Sequence, residues 1–202
     1  MTEKNKSNTC LEVISSDIAV EESELLIGNK TIVRGYHTQD SRLKKLEQPI
    51  LCVRDDARLG VAYYFWIEED FAHYWGKISK SDSDFYDVYI ADLNITNCLN
   101  TVFNEGHYLF FRKKIEETIQ HLKSIEVSAT LEKVNRFLAD TVWKPLKVEC
   151  IIYDDKPTNK PKKNLIYSEI PDLYYKKRIQ VVVFDLKNIS NFELYLEDQK
   201  PI

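Results

Sequence analysis

Three stretches bring chemically capable side chains together. Arg34-Gly35-Tyr36-His37-Thr38-Gln39 sets an imidazole, a hydroxyl and an amide at the end of the β-branched run Thr31-Ile32-Val33. Leu59-Gly60-Val61-Ala62-Tyr63-Tyr64-Phe65 concentrates rings that can pack a core or stack on a flat ligand, and a helix holding Ala72 and Tyr74 follows. Gln180 heads the apolar run Val181-Val182-Val183-Phe184, which continues through Asp185 to Ile189. Alone, His37 is a structural histidine or a ligand, and Gln180 is a solvent-facing amide or an orienting group. Hydrogen bonding and ring stacking are the chemistry on offer. Metal chemistry is not expected. His73, His107 and His121 lack ligand spacing, and Cys10, Cys52, Cys98 and Cys150 form no C-x-x-C pair. The cysteines read as buried free thiols of a reducing compartment. Asp55-Asp56 reads as a turn rather than a paired carboxylate. Lys156, Lys160, Lys162 and Lys163, with Lys176, Lys177 and Arg178, form a solvated face or guide an acidic target towards Gln180.

The elements that must position these residues follow from pattern. The 202 residues make one ordinary domain, with or without a tail, and 44% hydrophobic content excludes a disordered chain. With 28 basic against 32 acidic residues, a bulk electrostatic grip on nucleic acid is not supported. Apolar runs are too short to span a membrane, and no secretory leader is read at Met1–Lys6. Residues 1–29 are expected to be a partly flexible arm with a short helix at Leu25-Leu26-Ile27, and residues 30–202 a single domain. Strands are expected at Thr31–His37, Ile50–Val53, Gly60–Ile67, Phe85–Leu93, Lys147–Tyr153, Ile179–Leu186 (central) and Phe192–Leu196. Asp40-Ser41 is expected to cap a short helix to Leu46, and Glu68 to open one that runs to Trp75 and stops at Gly76. Two more are expected: Tyr108–Leu122, with Phe111, Ile115, Ile119 and Leu122 on one face, and Leu131–Leu138, with Leu131, Val134, Phe137 and Leu138 inward. Residues 154–163 read as a loop. The fold class is α+β.

The order and spacing of the three stretches resemble the ADP-ribosyltransferase superfamily, in the histidine–tyrosine–glutamate branch of diphtheria toxin and the poly(ADP-ribose) polymerases. Tyr36-His37-Thr38-Gln39 is similar to the branch's first motif, Gly60-Val61-Ala62-Tyr63-Tyr64-Phe65 to its second, and Gln180–Ile189 with Phe192-Glu193-Leu194-Tyr195 to its third. The likeness covers about Thr31 to Leu196. It implies a split β-sheet core with flanking helices, and NAD as substrate with no metal. It further implies catalytic His37, Tyr64 and Gln180, an NAD site of His37, Thr38, Tyr64 and Tyr74, and a target-facing segment with Tyr175, Lys176, Lys177 and Arg178. The branch's His holds a ribose, the backbone after it grips the carboxamide, and its Tyr stacks on the nicotinamide.

Three positions depart from the pattern. Thr38 stands where the branch has Gly, Ala62 replaces the second Gly of its pair, and Gln180 replaces the catalytic Glu. An amide orients a hydroxyl but carries no charge to offset an oxocarbenium ion. That argues against polymer formation and leaves mono-transfer, a carboxylate from elsewhere (Glu169 or Asp172) or an inactive binder. The resemblance implies a cytoplasmic mono-ADP-ribosyltransferase of toxin, toxin–antitoxin, phage-defence or effector type. Its acceptor would be a protein or a nucleic acid, and a cognate antitoxin is a possible partner. The alternatives are a degenerate module holding NAD, ADP-ribose or a protein, and an interaction protein of antitoxin or inhibitor type.

Overall fold

The computed structural model describes residues 31–80, 83–155 and 177–200. They form an α+β domain with β1 (Ile32–Asp40), β2 (Tyr63–Trp66), α1 (Glu69–Ser79), β3 (Tyr86–Asn94), β4 (Cys98–Asn100), α2 (Glu105–Ser124), α3 (Leu131–Leu138), β5 (Cys150–Asp154), β6 (Ile179–Val183) and β7 (Ile189–Gln199). The strands make one seven-stranded sheet in the order β4-β5-β6-β2-β1-β3-β7. All neighbours are antiparallel except β4 and β5. The expected arm at 1–29 and most of the 154–163 loop lie outside the described residues.

Side-chain type explains the sheet. β6 is Ile-Gln-Val-Val-Val, buried along its whole length between β5 and β2, as a β-branched central strand should be. β3 is buried over most of its length, which places Asp87 fully inside. That carboxylate takes hydrogen bonds from Lys45 Nζ and the Asp198 amide, both at 3.0 Å. Burial would push its pKa up, but these donors hold it below the ordinary carboxylate value. Helix α1 packs on β1, β2 and β3, and α2 packs on β4 and α3. Asn104 caps α2 by accepting the His107 amide at 3.0 Å, and Thr130 caps α3. Phe111, Ile115, Ile119 and Leu122 of α2 pack together with Val134, Leu138, Ile151 and Val182.

Several expectations need correction. No helix follows Asp40: the Ser41 amide bonds to the Phe85 carbonyl at 3.0 Å, its hydroxyl to Asp198, and Lys45 is drawn to Asp87. Ile50–Val53 is no strand but a single bridge, Cys52 to Ala62. Gly76 does not end α1. It lies within the helix, where a Cβ would come within 2.5 Å of the Tyr86 ring, so close helix–sheet packing requires it. The strand expected from Lys147 starts at Cys150, because the chain leaves α3 through a π-helical turn at Ala139–Trp143, and Lys147 has a φ of 55°. β6 ends at Val183, short of Leu186. β4 was not expected, since a three-residue run carries no periodicity. Leu131 points outward, and Asn135 takes the buried place beside Val134. Of the cysteines described, Cys150 is fully buried, whereas Cys52 and Cys98 are only partly so. No helix among the described residues is long and apolar enough to cross a membrane.

Candidate active site

β1 and β2 share one register pair, Tyr36 with Trp66. Beyond it β1 continues to Asp40 in register with β3, while β2 stays with β6. A cleft of about 460 Å³ opens where the strands part. This lies within the ordinary range for small-molecule sites, roughly 300–1,000 Å³. β1 gives the cleft His37, Thr38 and Gln39, β2 gives Tyr64 and Trp66, and β5 and β6 give Tyr153 and Gln180. The β1–β2 connection, Ile50 to Arg58, forms the far wall.

His37 is buried, and its Nδ1 lies 2.9 Å from the Tyr64 carbonyl. A carbonyl only accepts, so Nδ1 carries the hydrogen and Nε2 is left as the acceptor, 3.3 Å from the Gln39 amide nitrogen. The ring bond thus occupies a β2 carbonyl near which the ladder has stopped. Burial, helped by the Lys80 charge and opposed by the pull of that carbonyl, brings the His37 pKa down to about 4. The imidazole is therefore neutral at physiological pH. Its ring packs against Phe65 and Phe192, with centroids at 5.3 and 6.1 Å.

The Tyr64 hydroxyl donates to the Gly60 carbonyl at 2.8 Å and accepts from the Leu59 amide at 3.1 Å. Gly60 sits at φ 78°, a left-handed turn that glycine adopts without strain. Asn135 of α3 pins the same turn by donating to the Ala57 and Arg58 carbonyls, both at 3.1 Å. Thr38 is buried and its hydroxyl donates to the Ala72 carbonyl of α1 at 2.8 Å. Tyr153 and Gln180 face each other in the β5–β6 register, and the Tyr153 hydroxyl donates to Gln180 Oε1. Among the described residues, no group accepts from Gln180 Nε2.

Arg54, Arg58 and Lys80 line the cleft as cations, and Asp56 and Asp155 as carboxylates. Arg54 chelates Asp56 at 2.6–2.7 Å out in solvent, while Lys80 reaches Asp40 at 3.2 Å. Asp155, with its side chain 10% exposed, takes Arg58 Nε at 2.8 Å and an Arg178 nitrogen at 2.9 Å. Burial pushes its pKa up, and the two guanidiniums oppose the rise.

His37, Thr38, Tyr64 and Gln180, from three distant segments, thus line one cleft. Tyr74 does not. Its ring lies 5.1 Å from the Arg178 guanidinium, and the neighbouring Trp75 lines the cleft instead. Arg178 is not an open, target-facing cation: it is buried, paired with Asp155, and 5.2 Å from the Trp66 ring. Lys177 sits over Phe103 at 5.9 Å. Tyr175, Lys176, Glu169 and Asp172 lie outside the described residues. Asp55 and Asp56 form the expected turn. No cluster among the described residues has the groups to hold a metal ion. Sequence reasoning missed Arg58, Tyr153 and Asp155. The signal available was slight: an aspartate two places after a strand tyrosine shares its face. Comparison with protein-family models, curated proteins and solved structures finds no match to this chain.

Proposed function

We propose that the chain is an NAD-dependent mono-ADP-ribosyltransferase built on an ADP-ribosyltransferase-like sheet, acting in the cytoplasm as a toxin, phage-defence protein or effector. The observation that carries this reading is the convergence of His37, Tyr64 and Gln180 on one cleft. In the reaction the bond between nicotinamide and C1′ of its ribose breaks, and its electron pair neutralises the ring. The acceptor's lone pair then bonds to C1′, and one proton is released. The neutral His37 offers Nε2 to a ribose hydroxyl in exchange for the Gln39 amide, while its Nδ1–H stays on the Tyr64 carbonyl. The rings of Tyr64, Trp66 and Trp75 are suited to a cationic aromatic ring. Arg54, Arg58 and Lys80 are suited to a pyrophosphate. Gln180 has its oxygen on Tyr153, so its amide nitrogen is the group it offers most directly to a ribose hydroxyl.

The test uses the full chain, label-bearing NAD and a bacterial extract, with protease and nuclease digestion before bound label is counted. Label lost only to protease means a protein acceptor, and label lost only to nuclease means a nucleic acid. No transfer and no NAD binding by calorimetry would overturn the reading. NAD binding without turnover would favour the second reading, an inactive module holding NAD or ADP-ribose, for which the uncharged Gln180 is the specific support.

A further inference from the structure

We propose that Asp155 is the general base of this site, taking the proton from the acceptor's attacking O–H or N–H. The inference rests on the transferase reading above. As the C1′–nitrogen bond breaks and its pair returns to nicotinamide, the acceptor's lone pair forms the new bond to C1′. The acceptor's proton passes to the Asp155 carboxylate and from there to water, so NAD plus acceptor-H gives ADP-ribosyl acceptor, nicotinamide and a proton.

Placement carries the argument. Gln180 holds no charge and cannot take a proton, so the cleft needs a carboxylate from another strand. Among the described residues lining it, the carboxylates are Asp56 and Asp155. Asp56 is out in solvent, where its Arg54 hydrogen bonds outweigh what little burial it has and its pKa stays below the ordinary carboxylate value, which leaves it a weak base for a shielded reaction. Asp155 is buried one step past the end of β5, and its amide donates to the Arg178 carbonyl at 2.7 Å, so the β5–β6 pairing continues to its position. Tyr153 faces Gln180 in the register, which puts Asp155 diagonal to Gln180 on the same face, about 7–8 Å away. That spacing leaves room for a ribose held by Gln180 and an acceptor atom at Asp155.

The groups around it fit a base rather than a plain ion pair. Arg58 takes one carboxylate oxygen and Arg178 the other, so the orientation of the group is fixed. Each oxygen keeps a second lone pair for the acceptor's proton. Burial raises the carboxylate's affinity for that proton, and the neighbouring Asp154 does so too, against the two arginines.

Asp155→Asn, Asp155→Glu and Asp155→Ala in the full chain test this, with NAD affinity by calorimetry, label transfer, melting temperature and added sodium formate as readouts. Asp155→Asn should bind NAD within about threefold of native while transfer falls by about 100-fold or more. Asp155→Glu should regain part of the transfer, and formate should restore some to Asp155→Ala, which a merely structural aspartate would not allow. Transfer within about threefold of native in Asp155→Asn would overturn the assignment. So would a variant set that loses NAD binding and melting temperature together with no rescue by formate or Glu. A native chain that binds no NAD would fail at the earlier step, and the general-base role would fall with it.

Discussion

Tyr64→Phe separates two jobs that the wild-type side chain does at once. Its ring lines the cleft, and its hydroxyl bridges the Leu59 amide and the Gly60 carbonyl at 3.1 and 2.8 Å. Phe keeps the ring and gives up both bonds. Each such bond contributes about 1 kcal/mol, so the loss is roughly 1–3 kcal/mol. In a domain of this size that lowers the melting temperature by roughly 2–12 °C. Binding should hardly move, because stacking needs only the π-face. Tyr64→Ala removes the ring as well, and base–aromatic stacking is worth roughly 1–3 kcal/mol, so NAD affinity should fall by about 5- to 150-fold. Thermal melting and calorimetric titration of the three proteins read the two effects independently. Equal loss of NAD binding in Phe and Ala would refute the stacking role. A Phe variant melting with the native chain would refute the hydroxyl latch.

Other expectations follow from buried groups. His37 has its pKa lowered to about 4 in the fold against an ordinary 6.5, so the unfolded chain binds the extra proton. The fold therefore holds its full stability above about pH 6.5 and loses it as pH falls towards 4, by about 2 kcal/mol at pH 5. Denaturant titrations at pH 7.5 and 5 should show that slope, and His37→Gln should lack it. Gly76→Ala should destabilise by about 1–2 kcal/mol despite better helix propensity, because its Cβ would meet the Tyr86 ring at 2.5 Å; an unchanged urea midpoint would contradict the packing. Lys45→Ala strips a cation from the buried Asp87 and should cost about 2–3 kcal/mol, whereas the exposed Arg54→Ala should cost under about 1 kcal/mol. Equal midpoints for those two variants would refute the assignment of burial.

Long periodic segments were legible in the sequence. Leu131–Leu138 and most of Glu105–Ser124 declared themselves by apolar spacing, and Val181–Val183 by unbroken β-branching. Short-range signals misled where a distant partner took over. Ser41 has a capping side chain, but Asp198 and Phe85 claim it. Gly76 has the chemistry of a helix stop, but Tyr86 needs the space. The cleft residues His37, Tyr64 and Gln180 were visible through motif order. Asp155 was not, since its place in the cleft is fixed by Arg58 and Arg178, and pairing across 97 and 23 positions of sequence leaves no local trace.

The single register pair between β1 and β2 makes the sheet a book bound at one stitch. One leaf is β4-β5-β6-β2, which carries Gln180 and Asp155, and the other is β1-β3-β7, which carries His37. Strand to strand, the Tyr36–Trp66 pair and the His37–Tyr64 bond join the leaves, with α1 as the splint along the spine. The opening is thus written into the backbone rather than left by small side chains, and bulkier residues along its walls would narrow it without closing it. Each leaf keeps its own hydrogen-bonded edges, so substitutions on β5 and β6 can reshape what meets Asp155 while the page that holds His37 stays as it is.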